Sequence, residues 1–336
     1  MTLALRKAEH EPLDAAAPAA AAEPAPLLQV RNLTLKRGAH VVLDNVCLDL
    51  ARADTLALVG ESGAGKSTLA YALIGLLRPP EVTITGAIHF DGTDLTTLRE
   101  REWQPLRGNR IGLVFQDATA ALNPCFTVGA QIAEPLKRHI GLSSRDARRR
   151  AIELLQSVGI ADPERRLSAY PHELSGGMQQ RVMIATALAC GPELLLADEP
   201  TSALDVTIQA QIMALILARA RDAGTSAIFV LHDLALASQV CRRVAVLYAG
   251  QIVETGPAAE VLEAPRHPYT RGLRSCVVEL GSRRLEPIAG SIPAIDEMPA
   301  GCRFSPRCPL AQDICRRERP PLEPREDGRE VACWFA

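Results

Sequence analysis

The sequence has no apolar run long enough to cross a bilayer. Its longest runs, such as Thr55–Val59 and Leu194–Ala197, fall far short of the roughly 20 residues a spanning helix needs. The first ten residues carry Arg6 and Lys7, with no apolar stretch of signal-peptide length after them. A cytoplasmic chain is expected, and any work at a membrane would need partner chains. A surplus of positive charge is also lacking: 37 Lys and Arg stand against 39 Asp and Glu, a net charge of −2. No basic field is available to grip nucleic acid. Large side chains are scarce from Glu11 to Pro26, which are almost entirely Ala, Pro and Glu, so residues 1–26 are read as a disordered tail. There is no internal repeat.

Apolar residues are plentiful, 47% of 336, enough for one large domain with a smaller appendage. Leu28–Leu35 alternates apolar and polar as a strand does, and Val41–Leu50 gives a second strand signal. Thr55–Gly60, Ile111–Phe115, Glu193–Asp198 and Ala227–Leu231 are short apolar runs ending in small, charged or polar residues. Such runs mark buried strands whose C-terminal ends carry chemistry. Helical patterns lie between them. Ser144 can cap a helix whose Ala147, Ala151, Leu154, Leu155 and Val158 share one face, ended by Gly159. The stretch from Gln116 to Tyr170 reads as a helical insertion between core strands. Val244–Thr255 reads as a hairpin turning at Ala249-Gly250.

Three motifs carry chemistry. Gly60-Glu-Ser-Gly-Ala-Gly-Lys-Ser67 fits the phosphate-loop pattern, after the strand Thr55–Val59 and before an apolar helix from Thr68. Its glycines let backbone N–H groups converge on phosphate oxygens, and the helix aims its positive end at them. Lys66 would reach the β and γ phosphates, and the Ser67 hydroxyl would bind Mg²⁺. Leu194-Leu-Leu-Ala-Asp-Glu-Pro200 delivers two carboxylates to a strand end. Asp198 would hold Mg²⁺, and Glu199 would orient and deprotonate the attacking water. In Pro171-His-Glu-Leu-Ser-Gly-Gly-Met-Gln-Gln-Arg181, the residues Ser175, Gly176 and Gly177 open a helix expected to run to about Cys190, a second anion site. One nucleotide cannot need both sites of one chain.

Taken together these residues resemble the ATPase subunit of ABC transporters. Gly60–Ser67 looks like the Walker A loop, Gln116 the Q-loop glutamine and Leu174–Gln179 the signature motif. Asp198 and Glu199 look like the Walker B pair, Ser202-Ala-Leu-Asp205 the D-loop and His232 the switch histidine. The resemblance covers Leu27 to about Thr255. It implies an α/β P-loop NTPase domain at residues 27–275, with an antiparallel β part and a helical subdomain near 117–172. It implies ATP held by Gly60, Glu61, Ser62, Gly63, Ala64, Gly65, Lys66, Ser67 and Thr68 of one chain, and by Ser175, Gly176, Gly177 and Asp205 of a second. Mg²⁺ would lie at Ser67, Gln116 and Asp198. Catalysis would fall to Glu199, His232, Gln116 and Lys66. No aromatic residue lies between Leu27 and Val59, where many relatives stack one on adenine. Arg37 or His40 is the substitute available, since a guanidinium also stacks.

Asp117-Ala-Thr-Ala-Ala-Leu-Asn-Pro124, Tyr170-Pro-His-Glu173, His267-Pro-Tyr-Thr-Arg-Gly-Leu273 and Pro299-Ala-Gly-Cys-Arg-Phe-Ser-Pro-Arg-Cys308 resemble the oligopeptide/dipeptide importer branch. That branch imports peptides, and some relatives import nickel, glutathione or opines. It implies two transmembrane permease subunits, a second and non-identical ATPase, an external substrate-binding protein, and a peripheral place on the cytoplasmic face of the bacterial inner membrane. Phosphonate-degradation or DNA-repair ATPases are the non-transport alternatives, because they share the nucleotide motifs.

Nine cysteines are present. Cys47, Cys125, Cys190, Cys241 and Cys276 are scattered and are expected to be small buried hydrophobes. Cys302, Cys308, Cys315 and Cys333 crowd the region 276–336, read as a cysteine-rich C-terminal extension. Their spacing is a poor match to zinc fingers and leaves iron–sulfur, zinc and no metal open. The family resemblance implies a cysteine-bound [4Fe–4S] cluster.

Overall fold

The computed structural model describes residues 25–201, 206–277 and 288–336. The segment read as disordered falls almost wholly outside these, as does the D-loop with Asp205. An antiparallel sheet holds β1 (Leu28–Arg37), β2 (His40–Leu50), β4 (Thr83–Phe90) and β5 (Thr93–Asp94) in the order β2-β1-β4-β5. The larger sheet has eight strands in the order β11-β12-β10-β9-β3-β8-β7-β6. It holds β3 (Thr55–Val59), β6 (Ile111–Val114), β7 (Leu194–Asp198), β8 (Ser226–Leu231), β9 (Arg243–Tyr248), β10 (Gln251–Pro257), β11 (Glu323–Pro324) and β12 (Glu330–Val331). From β9 to β6 the neighbours are parallel, and from β9 to β11 they are antiparallel.

The interiors of the parallel strands are apolar because both of their faces are covered, and the polar residues Thr55, Ser226, Arg243 and Asp198 stand at strand ends. Successive side chains point to opposite faces. Leu56, Leu58, Leu194, Leu196, Ile228 and Val230 face a core shared with the antiparallel sheet and the helix Lys66–Leu73. Ala57, Val59, Leu195, Ala197, Ala227 and Phe229 face a second core packed by helices. The phosphate-loop helix is therefore wedged between the two sheets, with Leu69 and Leu73 fully buried.

Between β6 and β7 the chain makes the helices Ala118–Ala121, Val128–Ile140, Ser144–Ser157, Pro163–Arg166 and Gly176–Ala187. The expected apolar face of Ser144–Ser157 is buried. Its cap is Ser143 rather than Ser144: the Ser143 hydroxyl accepts the Asp146 N–H at 3.2 Å. Either serine satisfies the capping pattern, and the register of the buried face selects between them. The hairpin turns where expected, Ala249 and Gly250 both having positive φ between paired Tyr248 and Gln251. The sequence reading missed β4, whose apolar pattern is broken at Gly86. A Cβ there would lie 2.4 Å from the Asn32 carbonyl oxygen, at the irregularity where β4 crosses β1. Of the scattered cysteines only Cys241 is buried; Cys125 and Cys276 are exposed, contrary to expectation, and Cys47 and Cys190 lie between.

After β10 the chain folds over the carboxylate of Glu254, which is fully buried and accepts the backbone N–H groups of Arg266 at 3.0 Å and His267 at 2.9 Å. His267 Nδ1 then accepts the Tyr269 N–H at 3.0 Å and caps the helix Pro268–Ser275. The tail returns to the sheet edge through β12, paired to β10. Burial, with a smaller push from Arg271, brings the His267 pKa down to about 3, against about 6.5 for a free imidazole. A neutral buried imidazole stabilises the fold above the unfolded value. That contribution is lost as pH falls from about 6.5 toward about 3, because only the unfolded chain gains the proton. The melting temperature should therefore drop over that range. His267→Asn, which keeps an acceptor for Tyr269 and cannot titrate, should flatten the drop in pH-dependent thermal melts.

Candidate nucleotide site

The ends of β3, β7 and β8 come together because the three strands are adjacent and parallel. Beyond β3 the loop Gly60–Gly65 turns into the helix Lys66–Leu73. Gly60 sits against β9, where a Cβ would meet the Leu247 carbonyl oxygen at 2.2 Å, and Gly65 has φ of 102°, a conformation that favours glycine. The hairpin turn holds the loop: the Gly250 N–H donates to the Ala64 carbonyl at 2.7 Å. Ser62 and Gly63 are exposed.

Lys66 is buried, and its Nζ donates to the carbonyls of Gly60 at 2.8 Å and Glu61 at 3.0 Å. Burial lowers its pKa, opposed by Glu199, Asp198 and Glu61. Its Nζ is also 3.3 Å from His232 Nδ1. Ser67 Oγ donates to Asp198 Oδ1 at 2.9 Å. The second oxygen, Asp198 Oδ2, is buried with no hydrogen-bond partner. An unpartnered carboxylate oxygen beside a hydroxyl suits a hard cation that takes oxygen ligands, so Ser67 and Asp198 fit Mg²⁺. Tyr71 lies by the same carboxylate, its pKa pushed up to about 12 by burial first and Asp198 next.

Glu199 follows β7 in a left-handed backbone conformation, φ 45°, which is strained for a residue with a Cβ. Its carboxylate is gripped from two sides. Gln116 Nε2 donates to Oε2 at 2.9 Å, and His232 Nε2 pairs with Oε1. Gln116 and His232 are themselves exposed, on the segments leaving β6 and β8. The structure thus gathers Lys66, Ser67, Asp198, Glu199, Gln116 and His232 at one end of the sheet. Arg37 and His40 face each other at the exposed β1–β2 turn. Three residues on, Leu43 packs over Gly65.

Ser175 and Gly176 stand apart from that cluster. Ser175 caps the helix Gly176–Ala187, its hydroxyl accepting the Met178 N–H at 3.4 Å. Ser175 and Gly176 are exposed, and a Cβ built at Gly176 or Gly177 would meet nothing within 4 Å. The packing of this chain therefore does not require glycine at either position. The tail cysteines Cys302, Cys308, Cys315 and Cys333 line one small cavity with His267, Phe304 and Trp334. Burial raises the thiol pKa of Cys302 to about 11 and also raises those of Cys308 and Cys333. Among the described residues no three His, Cys, Asp or Glu form a group able to hold a single metal ion. The sequence reading missed Tyr71, Tyr269 and Arg307 as neighbours of the nucleotide loop. The last two stand inside the motifs that carry the importer-branch resemblance.

The sequence model of the ABC transporter family matches residues 43–202, and that of the oligopeptide/dipeptide transporter C-terminal region matches residues 253–315. The dipeptide transport ATP-binding protein DppD of Escherichia coli strain K12 is 45% identical over 295 residues, which cover 87% of this chain and 90% of that protein. The chain belongs to the ATP-binding subunits of ABC transporters. The oligopeptide transport ATP-binding protein AppD of Bacillus subtilis strain 168 is 42% identical over 316 residues, 92% of this chain and 96% of its own length. Two solved structures share the fold. The ATP-binding cassette MJ0796, a dimer in a post-hydrolysis state with ADP and Pi, superposes with a TM-score of 0.61 at 31% identity, covering 69% of this chain and 98% of that one. The cbiO1 protein of Clostridium perfringens, part of the ABC transporter complex cbiONQ, gives 0.62 at 27% identity, covering 72% and 92%. As an ABC transporter ATPase the chain couples ATP hydrolysis to transport.

Ser67→Ala removes the hydroxyl that donates to Asp198. It is expected to cut Mg²⁺-supported ATP turnover by about tenfold or more, with little change in Mg²⁺-free nucleotide binding. Titrating Mg²⁺ against both signals checks this.

Proposed function

We propose that this ATPase powers a di- and oligopeptide importer, acting as one half of a head-to-tail pair of cassettes beneath two permeases. The observation that carries the chemistry is the grip on Glu199 by Gln116 and His232, beside Lys66 and the Ser67–Asp198 pair. Lys66 and the N–H groups of Gly60–Thr68 would hold the phosphates. Ser67 and Asp198, with Gln116 alongside, would hold Mg²⁺, which when bound offsets charge on the phosphate oxygens. Glu199 would take the proton of the attacking water, with His232 and Gln116 keeping its carboxylate in place. Exposed Ser175 and Gly176 and half-buried Gly177, where a Cβ at either glycine would meet nothing within 4 Å, support a role for Ser175–Gly177 across a dimer interface on a partner's nucleotide. Asp205 would contribute there too.

Coupling to a permease has support in the helical part. A cleft of about 790 Å³ opens beside Gln116, and its lining includes exposed Leu76, Phe115 and Phe126. A permease's cytoplasmic helix is the occupant we assign to it. Among the described residues no helix is long and apolar enough to cross a membrane. We place the chain, as the ATPase of a transporter, peripherally on the cytoplasmic face, with a second ATPase and an external binding protein completing the system. Peptide as cargo is supported by the names of the relatives, DppD and AppD. We take residues 27–275 as the ATPase domain and 276–336 as the extension.

For the extension we propose a [4Fe–4S] cluster on Cys302, Cys308, Cys315 and Cys333. Support comes from the one small cavity that all four line. A cubane takes one thiolate at each of four separated corners. Protein purified without oxygen should contain iron and sulfide in equal amounts and be brown. Colourless protein without iron ends this assignment.

Glu199→Gln should bind ATP with near-normal affinity, hold the closed dimer and hydrolyse at least about 100-fold more slowly. Single-turnover hydrolysis and gel filtration with ATP measure both effects. Near-normal turnover would remove Glu199 from the role of base.

A further inference from the structure

Glu61 is the point where the C-terminal extension touches the phosphate loop. All of its polar groups are engaged. Its N–H donates to the Tyr269 hydroxyl at 2.8 Å. Its carbonyl accepts from Lys66 Nζ at 3.0 Å and from the Ala64 N–H at 3.2 Å. Its carboxylate accepts a two-pronged hydrogen bond from Arg307, at 2.7 and 3.0 Å. Arg307 comes from a segment 246 residues further along the chain and is only 5% exposed in its side chain.

The Arg307 guanidinium is fixed before it reaches Glu61. Its Nε donates to the Ala289 carbonyl at 2.8 Å, and it lies over the rings of Tyr248 and Phe304 at 5.7 and 5.8 Å. Tyr269, wholly buried, packs edge-on to Tyr248 with centroids 4.6 Å apart. A planar fork held in place imposes a geometry on a carboxylate that a flexible ammonium cannot. The tip of the phosphate loop has little packing of its own, since Ser62 and Gly63 are exposed and Gly63 has positive φ. Such a loop is free to sample other shapes unless something outside it fixes one.

We infer that Arg307 and Tyr269 are positioning residues of the ATPase: through Glu61 they hold the phosphate loop and the Lys66 ammonium in the shape that receives the phosphates. Through Arg307 the extension is thereby part of the nucleotide site although none of its residues belongs to the phosphate loop. This inference rests on Gly60–Ser67 being the phosphate cradle. Its signature is a loss of ATP affinity with chemistry at saturation preserved, because the loop's shape is set before binding.

The test uses the full-length chain and calorimetric titration with ATP. Arg307→Ala should weaken ATP binding by about tenfold and raise KM to match, with kcat within about twofold. Arg307→Lys, which keeps the charge and loses the fork, should fall between. Tyr269→Phe, which removes only the acceptor for the Glu61 N–H, should also weaken binding. Arg316→Ala, an exposed residue of the same extension paired with Asp313, should bind as wild type. In a Glu61→Gln background, adding Arg307→Ala should cost little more, since both act on one contact. Nucleotide-free melting curves separate misfolding from lost affinity; should Arg307→Ala misfold, the Lys and Phe variants carry the test. Wild-type affinity in Arg307→Ala, or an undiminished loss in the Glu61→Gln background, would overturn the inference. Lys66→Ala separates the two levels. If it binds ATP normally, the cradle itself is misassigned; if it loses ATP while Arg307→Ala does not, only the brace fails.

Discussion

A parallel sheet buried on both faces has no room for polar chemistry except at the ends of its strands. That constraint arranges everything in this molecule. β3, β8 and β7 lie side by side in one direction, so the phosphate loop, His232 and the Asp198–Glu199 pair must emerge at the same edge. The hydrogen bond from Ser67 to Asp198 joins the first turn of the loop's helix to the end of β7. The antiparallel sheet and the helices are then two lids on the two faces. Each also brings something to the edge: β2 packs Leu43 over Gly65, and the helical part begins with Gln116.

How much could be read beforehand follows from where the information sits. Residues whose role is local were legible. The glycines and Lys66 of the loop, the acids that end β7, and the positive-φ turn at Ala249-Gly250 each announce themselves within eight residues. The core strands were legible because runs such as Leu194-Leu-Leu-Ala cannot be anything but doubly covered. Features that depend on distant partners were not. β4 is a strand because β1 lies beside it, and Gly86 is there because the Asn32 backbone crosses it. Cys125 and Cys276 look like core residues by type, and only the fold leaves them outside. The link from Arg307 to Glu61 spans most of the chain, and no window of sequence contains it.

The chain that leads into the extension is held by a buried charge, as the nucleotide site is. The motif His267–Leu273 is built on Glu254, a carboxylate removed from water and satisfied by backbone N–H groups, with His267 closing the helix start behind it. Such an arrangement has few alternatives of similar energy, because a buried carboxylate without donors is strongly destabilising. It fixes the direction of Tyr269 toward the loop.

The backbone of Glu199 has a further consequence. A left-handed residue with a side chain carries a conformational cost of about 1 kcal/mol or more, and glycine there would be freed of it. The position therefore sets two heritable traits against each other. Glycine would relieve the backbone but would loosen the unfolded chain and remove the carboxylate that Gln116 and His232 hold. In the proposed role as base, Glu199 keeps its carboxylate in a backbone conformation that the fold would give more readily to glycine.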